Sequence, residues 1–129
     1  MIPQQLQYRF IAKLYQEPKS TFKSNARYYD LNIIFKAVEH QQIEYIPISE
    51  LVWILKHIDP LDPRRVKAAD VTVPILVTKY RNKELVIDGL HRLVKATQSR
   101  MKTIPFKRVS KEVFESALVS ESNPIYTQW

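Results

Sequence analysis

The chain has 129 residues, one glycine and no cysteine. Average usage would put glycine at about 7% of positions, so the turns here must be built mostly from Pro, Asn, Asp and Ser. Without cysteine there are no disulfides, no zinc–thiolate sites and no thiol catalysis. No apolar run approaches the roughly 18 residues that a membrane-spanning helix needs. The opening Met1-Ile2-Pro3-Gln4 lacks the charged segment and apolar stretch of a secretory signal. A cytoplasmic setting, with no membrane partner, is the default expectation. Acidic residues are the minority, 13 against 20 Lys and Arg, for a formal net charge of +7. That balance favours anionic partners, whether nucleotide, nucleic acid or acidic protein, and does not choose among them. Hydrophobic residues make up 45% of the chain, which supports a folded globule with a single core.

The glycine, Gly89, stands between two contrasting patterns. Before it, Leu85-Val86-Ile87 reads as a buried strand. After it, Leu90, Leu93, Val94, Thr97 and Met101 recur at helical spacing. Gly89 thus marks a strand-to-helix turn where a side chain is not tolerated, either for a positive φ or for a close approach to the backbone. A helix starting there presents backbone N–H groups and the positive end of its dipole. With His91 and Arg92 in the first turn, it forms a small anion site, and phosphate is the usual anion for such a site. Asp88 has two readings: an N-cap, or a carboxylate holding Mg²⁺ or a substrate hydroxyl.

The flanking sequence carries its own signals. Residues 4–16 form an amphipathic helix on Leu6, Phe10 and Leu14, ended by Pro18. Residues 17–29 form a loop in which basic and aromatic residues alternate. It suits stacking on bases and pairing with phosphates, or is a solvated loop with tucked aromatics. Asp30 caps a helix striped by Leu31, Ile34, Phe35 and Val38. Ile43 to Ile48 is a strand with Pro47 at its edge. Ser49 caps a helix burying Leu51, Ile54, Leu55 and Ile58, with Trp53 off that stripe. Asp62-Pro63 starts a short helix. Strands Pro74–Tyr80 and Glu84–Ile87 form a hairpin around Arg81-Asn82-Lys83. The motif helix runs to about Arg100, Ile104–Val109 is a further strand, and Ser110 caps a last helix through Leu118. His40 and His57 lack metal-ligand spacing and read as surface or structural residues.

The string Asp88-Gly89-Leu90-His91-Arg92-Leu93, with Thr103-Ile104-Pro105 after it and Pro74-Ile75-Leu76-Val77 before it, resembles the ParB/sulfiredoxin-type nucleotide-binding fold. That family includes ParB N-terminal domains, sulfiredoxins and free serine kinases. The resemblance covers roughly residues 43–109 and is nearest to the Asp-Gly-x-His-Arg form of the free serine kinases. It implies an α+β fold, a small mixed sheet with flanking helices, extended here by a helical N-terminal segment. The organisation expected is 1–42 as extension, 43–119 as nucleotide-binding core and 120–129 as tail.

The resemblance also implies ATP or another nucleoside triphosphate seated on Gly89, Leu90, His91 and Arg92. Asp88 and His91 would be the catalytic side chains, with Mg²⁺ on Asp88. Three departures matter. Leu90 stands where sulfiredoxins carry their nucleophilic cysteine. No second ParB motif or helix-turn-helix is present in residues 110–129. No glutamate stands within Leu51–Leu55, where free serine kinases place their general base, and Glu50 is the nearest. Arg64 and Arg65 fall where the family has part of its substrate site. They could close on a triphosphate, bind a nucleic-acid backbone, or simply be exposed. The leading expectation is a nucleotide-binding protein that hydrolyses or transfers phosphate to a small hydroxyl substrate. The alternatives are a non-enzymatic nucleotide-binding regulator of phage or mobile-element type, and a nucleic-acid binder or nuclease using residues 19–27, Arg64, Arg65 and Lys95. Any DNA binding is expected to be weak and independent of sequence.

Overall fold

A computed structural model describes residues 21–24 and 27–119. The expected helix over 4–16 and the 120–129 tail lie outside the described residues. The chain divides into two compact units, His40–Ser110 and the segments on either side of it.

In the flanking unit, β1 (Thr21–Ser24) pairs antiparallel with β2 (Arg27–Asp30). This corrects the expected loop at residues 21–24 and 27–29; the rest of 17–29 lies outside the described residues. Alternation of basic and aromatic residues is itself a period of two, and aromatic residues favour strands. Asp30 then caps α1 (Leu31–Ala37), its carboxylate accepting from the Asn32 N–H at 2.9 Å. Leu31, Ile34 and Val38 are buried as the stripe predicts, whereas Phe35 is exposed. The Tyr29 ring stacks on Phe114 of α4 (Lys111–Ser116) with centroids 4.0 Å apart. The Asp30 N–H also donates to the Ala117 carbonyl at 2.8 Å.

The His40–Ser110 unit is α+β, with a mixed four-stranded sheet in the order β3-β6-β4-β5. β3 (Glu44–Pro47) is an edge strand, and its Pro47 costs the ladder nothing there. β6 (Thr103–Arg108) runs antiparallel to β3 and parallel to β4 (Ile75–Tyr80). β4 and β5 (Lys83–Asp88) form the expected hairpin. Its turn puts Arg81 at φ 50° and Asn82 at φ 64°, the left-handed pair that suits the twist of a two-residue hairpin. Residues Ile75–Thr78 and Glu84–Ile87 are buried without alternation, as strands covered on both faces are.

Two helices pack together on this sheet unit, α2 (Pro63–Ala68) and α3 (Leu90–Gln98). Asp62 caps α2 through the Arg64 N–H at 2.9 Å, with Pro63 in its first turn. The helix expected after Ser49 is instead two 3₁₀ segments, Ile48–Glu50 and Val52–His57, neither capped by a side chain. Val52, Trp53 and Ile54 are poor helix formers, and short runs of that kind settle into the tighter turn. Leu51 and Ile54 remain buried. Leu55 and Ile58 line an open groove of about 710 Å³ with Leu61, Val66, Lys67 and Val94.

Candidate functional site

The turn at Gly89 is prepared one residue earlier. The β4–β5 register steps from Val77↔Val86 to Leu76↔Asp88, so Ile87 is an extra residue on β5. Such a bulge bends the strand and re-aims the residues beyond it. Gly89 then adopts φ 112°, ψ 27° and becomes the N-cap of α3. A β-carbon there would meet Ile75 Cγ2 at 2.4 Å and Ile75 Cβ at 2.9 Å. Both reasons anticipated for this glycine hold: a left-handed φ and a close neighbour.

The caps of the helices differ. Asp30 and Asp62 cap α1 and α2 with their side chains, whereas the cap of α3 is Gly89, which has no side chain to offer. The Asp88 carboxylate is turned to Arg92, with Arg92 Nη2 donating to Asp88 Oδ2 at 2.9 Å. Arg92 Nη1 donates to the carbonyls of Val73 at 3.2 Å and Pro74 at 2.7 Å. Asp88, Gly89 and Arg92 are thereby gathered with Val73, Pro74 and Ile75 at one end of the sheet. Leu90 is buried beneath the helix start, and His91 is half-buried in the first turn.

One turn further on, Lys95 Nζ donates to the carbonyls of Lys67 and Ala69, both at 2.7 Å. These are the last carbonyls of α2, and a cation suits them. Lys95 thus stabilises a helix end, where the sequence offered nucleic acid as its partner. Between these anchors, the Asp70 carboxylate accepts from Thr72 through both backbone N–H and hydroxyl, at 2.9 and 2.6 Å. The Thr72 hydroxyl bond holds the Asp70 carboxyl below its usual range. Neither the Val73 and Pro74 carbonyls nor the α2 end was named from sequence. The available signal was Arg92 and Lys95 at a spacing of three, which places both on one side of a helix.

The additional candidates lie elsewhere. Glu50 is exposed on a 3₁₀ segment. Arg64 is exposed at 94% of its side chain and lies 3.6 Å from Asp62, and Arg65 is exposed beside it. Trp53 packs as the commoner reading has it: its Nε1 donates to the Glu84 carbonyl at 3.1 Å, and Lys83 Nζ sits 5.1 Å from its ring centroid.

No family model matches the chain. No curated protein matches it either. A sulfiredoxin is similar in structure. It is that of Arabidopsis thaliana, 19% identical, with a TM-score of 0.42, over 59% of this chain and 96% of that one. No helix among the described residues is long and apolar enough to cross a membrane.

Among the described residues no three His, Asp or Glu side chains cluster as metal ligands. The carboxylate expected to hold Mg²⁺, Asp88, already has Oδ2 engaged by Arg92.

Proposed function

We propose that the protein binds the phosphate groups of a nucleoside di- or triphosphate at the start of α3. The observation that carries this reading is the helix start itself. It follows a strand bulge, and its cap is a left-handed glycine, which has no side chain to place over the first N–H groups. The first N–H groups of a helix have no partner within it, and with the dipole they suit an anion. The backbone of Gly89, Leu90 and His91 would hold the phosphate oxygens, with the His91 side chain beside them. Arg92 neutralises Asp88, which would otherwise repel an incoming phosphate. The net charge of +7 supports the same ligand class.

The reading is of binding, in which ATP or another nucleotide acts as ligand, and no transfer step is assigned. Mg²⁺, where it takes part, arrives on the nucleotide's own phosphates. The test is thermal melting with nucleoside mono-, di- and triphosphates, with and without Mg²⁺. A bound di- or triphosphate at about 100 times its dissociation constant stabilises the fold by roughly 2.7 kcal/mol. An unchanged midpoint with every nucleotide at millimolar concentration contradicts the reading.

A further inference from the structure

Arg92 and Lys95 carry the two basic side chains on the first turns of α3, and both are spent on one segment. Lys95 holds the carbonyls of Lys67 and Ala69, and Arg92 holds those of Val73 and Pro74. These are the end of α2 and the far end of the connector between α2 and β4. Its middle is turned by Asp70 and Thr72. Its far end is fixed again at Ile75, which fills the space against Gly89.

We propose that Arg92 and Lys95 are positioning residues: they clamp the end of α2 and the connector that follows it, Ala69–Pro74, beside the start of α3 and serve anion binding through that clamp. This rests on the phosphate reading above. Three physical points support it. The Arg92 side chain is only 18% exposed. Three of the five guanidinium N–H donors are used. Moving the group onto a phosphate would strip Val73, Pro74 and Asp88 of their donor, and stranded polar groups are costly. It would also uncover the Asp88 charge next to the arriving anion. A phosphate is therefore held by the backbone N–H groups while the clamp stays closed. Lys95 supports the same wall from the α2 end, its ammonium held by the Lys67 and Ala69 carbonyls.

The experiment is amide hydrogen exchange on the parent, Arg92→Lys, Arg92→Ala and Lys95→Met, without ligand and with millimolar ATP. ATP titrations at low and high salt accompany it. Lysine keeps the charge and three donors but lacks the planar fork that spans acceptors on both of its nitrogens. Without ATP, exchange across residues 70–75 rises about tenfold in Arg92→Lys, the factor that loss of one charge-assisted bond represents. In Lys95→Met the rise falls at residues 67–70. In the parent, ATP leaves the connector at least as protected as before. Each variant loses ATP affinity by the same factor at low and high salt, because no direct ion pair, which salt would screen, has been removed.

Parent-like exchange in the ligand-free variants overturns the clamp. So does deprotection of residues 70–75 by ATP in the parent, or an affinity loss confined to low salt. Should Arg92→Ala fail to fold, Arg92→Lys and Lys95→Met decide the matter. A parent that binds no ATP refutes the phosphate reading, and the ligand-free exchange still decides the clamp.

Discussion

A β-carbon on residue 89 would lie 2.4 Å from Cγ2 of Ile75, on the first residue of the neighbouring strand. The chain accepts left-handed backbone without glycine at Arg81, Asn82 and Arg100. What separates Gly89 from those three is its neighbour. Gly89→Ala combines a left-handed alanine with an overpacked core contact. The expected loss is about 3 kcal/mol, summing the usual costs of each. Ile75→Ala removes Cγ2, the nearer of the two colliding atoms, so the double variant is less destabilised than the two single losses predict together. Denaturant unfolding of the four proteins measures that coupling, and simple additivity would contradict it.

Arg100 offers the opposite experiment. It sits at φ 58° just past α3, where the Met101 N–H closes onto the Ala96 carbonyl at 3.0 Å. That position is commonly glycine. Arg100→Gly is expected to stabilise the protein by about 0.5–1 kcal/mol, relief of left-handed strain being partly offset by a freer unfolded chain. A lowered melting midpoint would show that the arginine side chain contributes more than its backbone costs.

Arg92→Ala tests a difference between sequence and structure. From sequence, Arg92 lies off the Leu90, Leu93, Val94 stripe and is expected to be removable without harm to the fold. In the structure it serves two carbonyls and a carboxylate. Its loss is expected to cost about 2–3 kcal/mol, within the range for charge-assisted bonds in a partly buried setting. Asp88→Asn, which leaves both carbonyls bonded, is expected to cost about 1 kcal/mol. Chemical denaturation of both variants checks the order.

Glu84 sets a pH dependence. It is 8% exposed and takes two bonds from Arg108, at 2.8 and 2.9 Å, with Lys79 at 3.4 Å. The Arg108 hydrogen bonds outweigh burial and hold its carboxyl below the usual range. A depressed folded value makes the stabilisation complete above the unfolded value of about 4.3. It is lost as pH falls from there through the folded value. Glu84→Gln is expected to lower stability at neutral pH by about 1–2 kcal/mol, a modest figure because Arg108 is partly exposed to solvent. The gap between parent and variant should close below about pH 4. A gap that persists unchanged at pH 3 would show that the ion pair does not set the pH dependence.

The elements around Gly89 are legible in the sequence because several local rules agree there. The apolar run Leu85–Ile87, the lone glycine and the helical stripe from Leu90 all name the same junction. Asp62-Pro63 and Asp30 announce their helices through cap chemistry alone. The segment after Ser49 misleads because Leu51, Ile54, Leu55 and Ile58 keep a helical spacing that 3₁₀ geometry does not honour. The pairing of residues 21–24 with 27–30 is hidden because their mixture of basic and aromatic residues equally suits a binding loop. At the site, sequence supplies the residues but not their partners. The Arg92 acceptors are backbone carbonyls at Val73 and Pro74, and carbonyls carry no sequence signature. Only the folded sheet brings them to α3.

In the proposed reading, phosphate seats on the backbone at the start of α3. The most direct measurement is the amide resonance shifts of isotope-labelled protein titrated with ATP, ADP and AMP. Seating on the backbone predicts that the largest shifts fall on Gly89, Leu90, His91 and Arg92, saturate with the triphosphate and diphosphate, and weaken with the monophosphate. Shifts absent at millimolar nucleotide, or centred on the Leu55–Val94 groove or on Arg64 and Arg65, would contradict it.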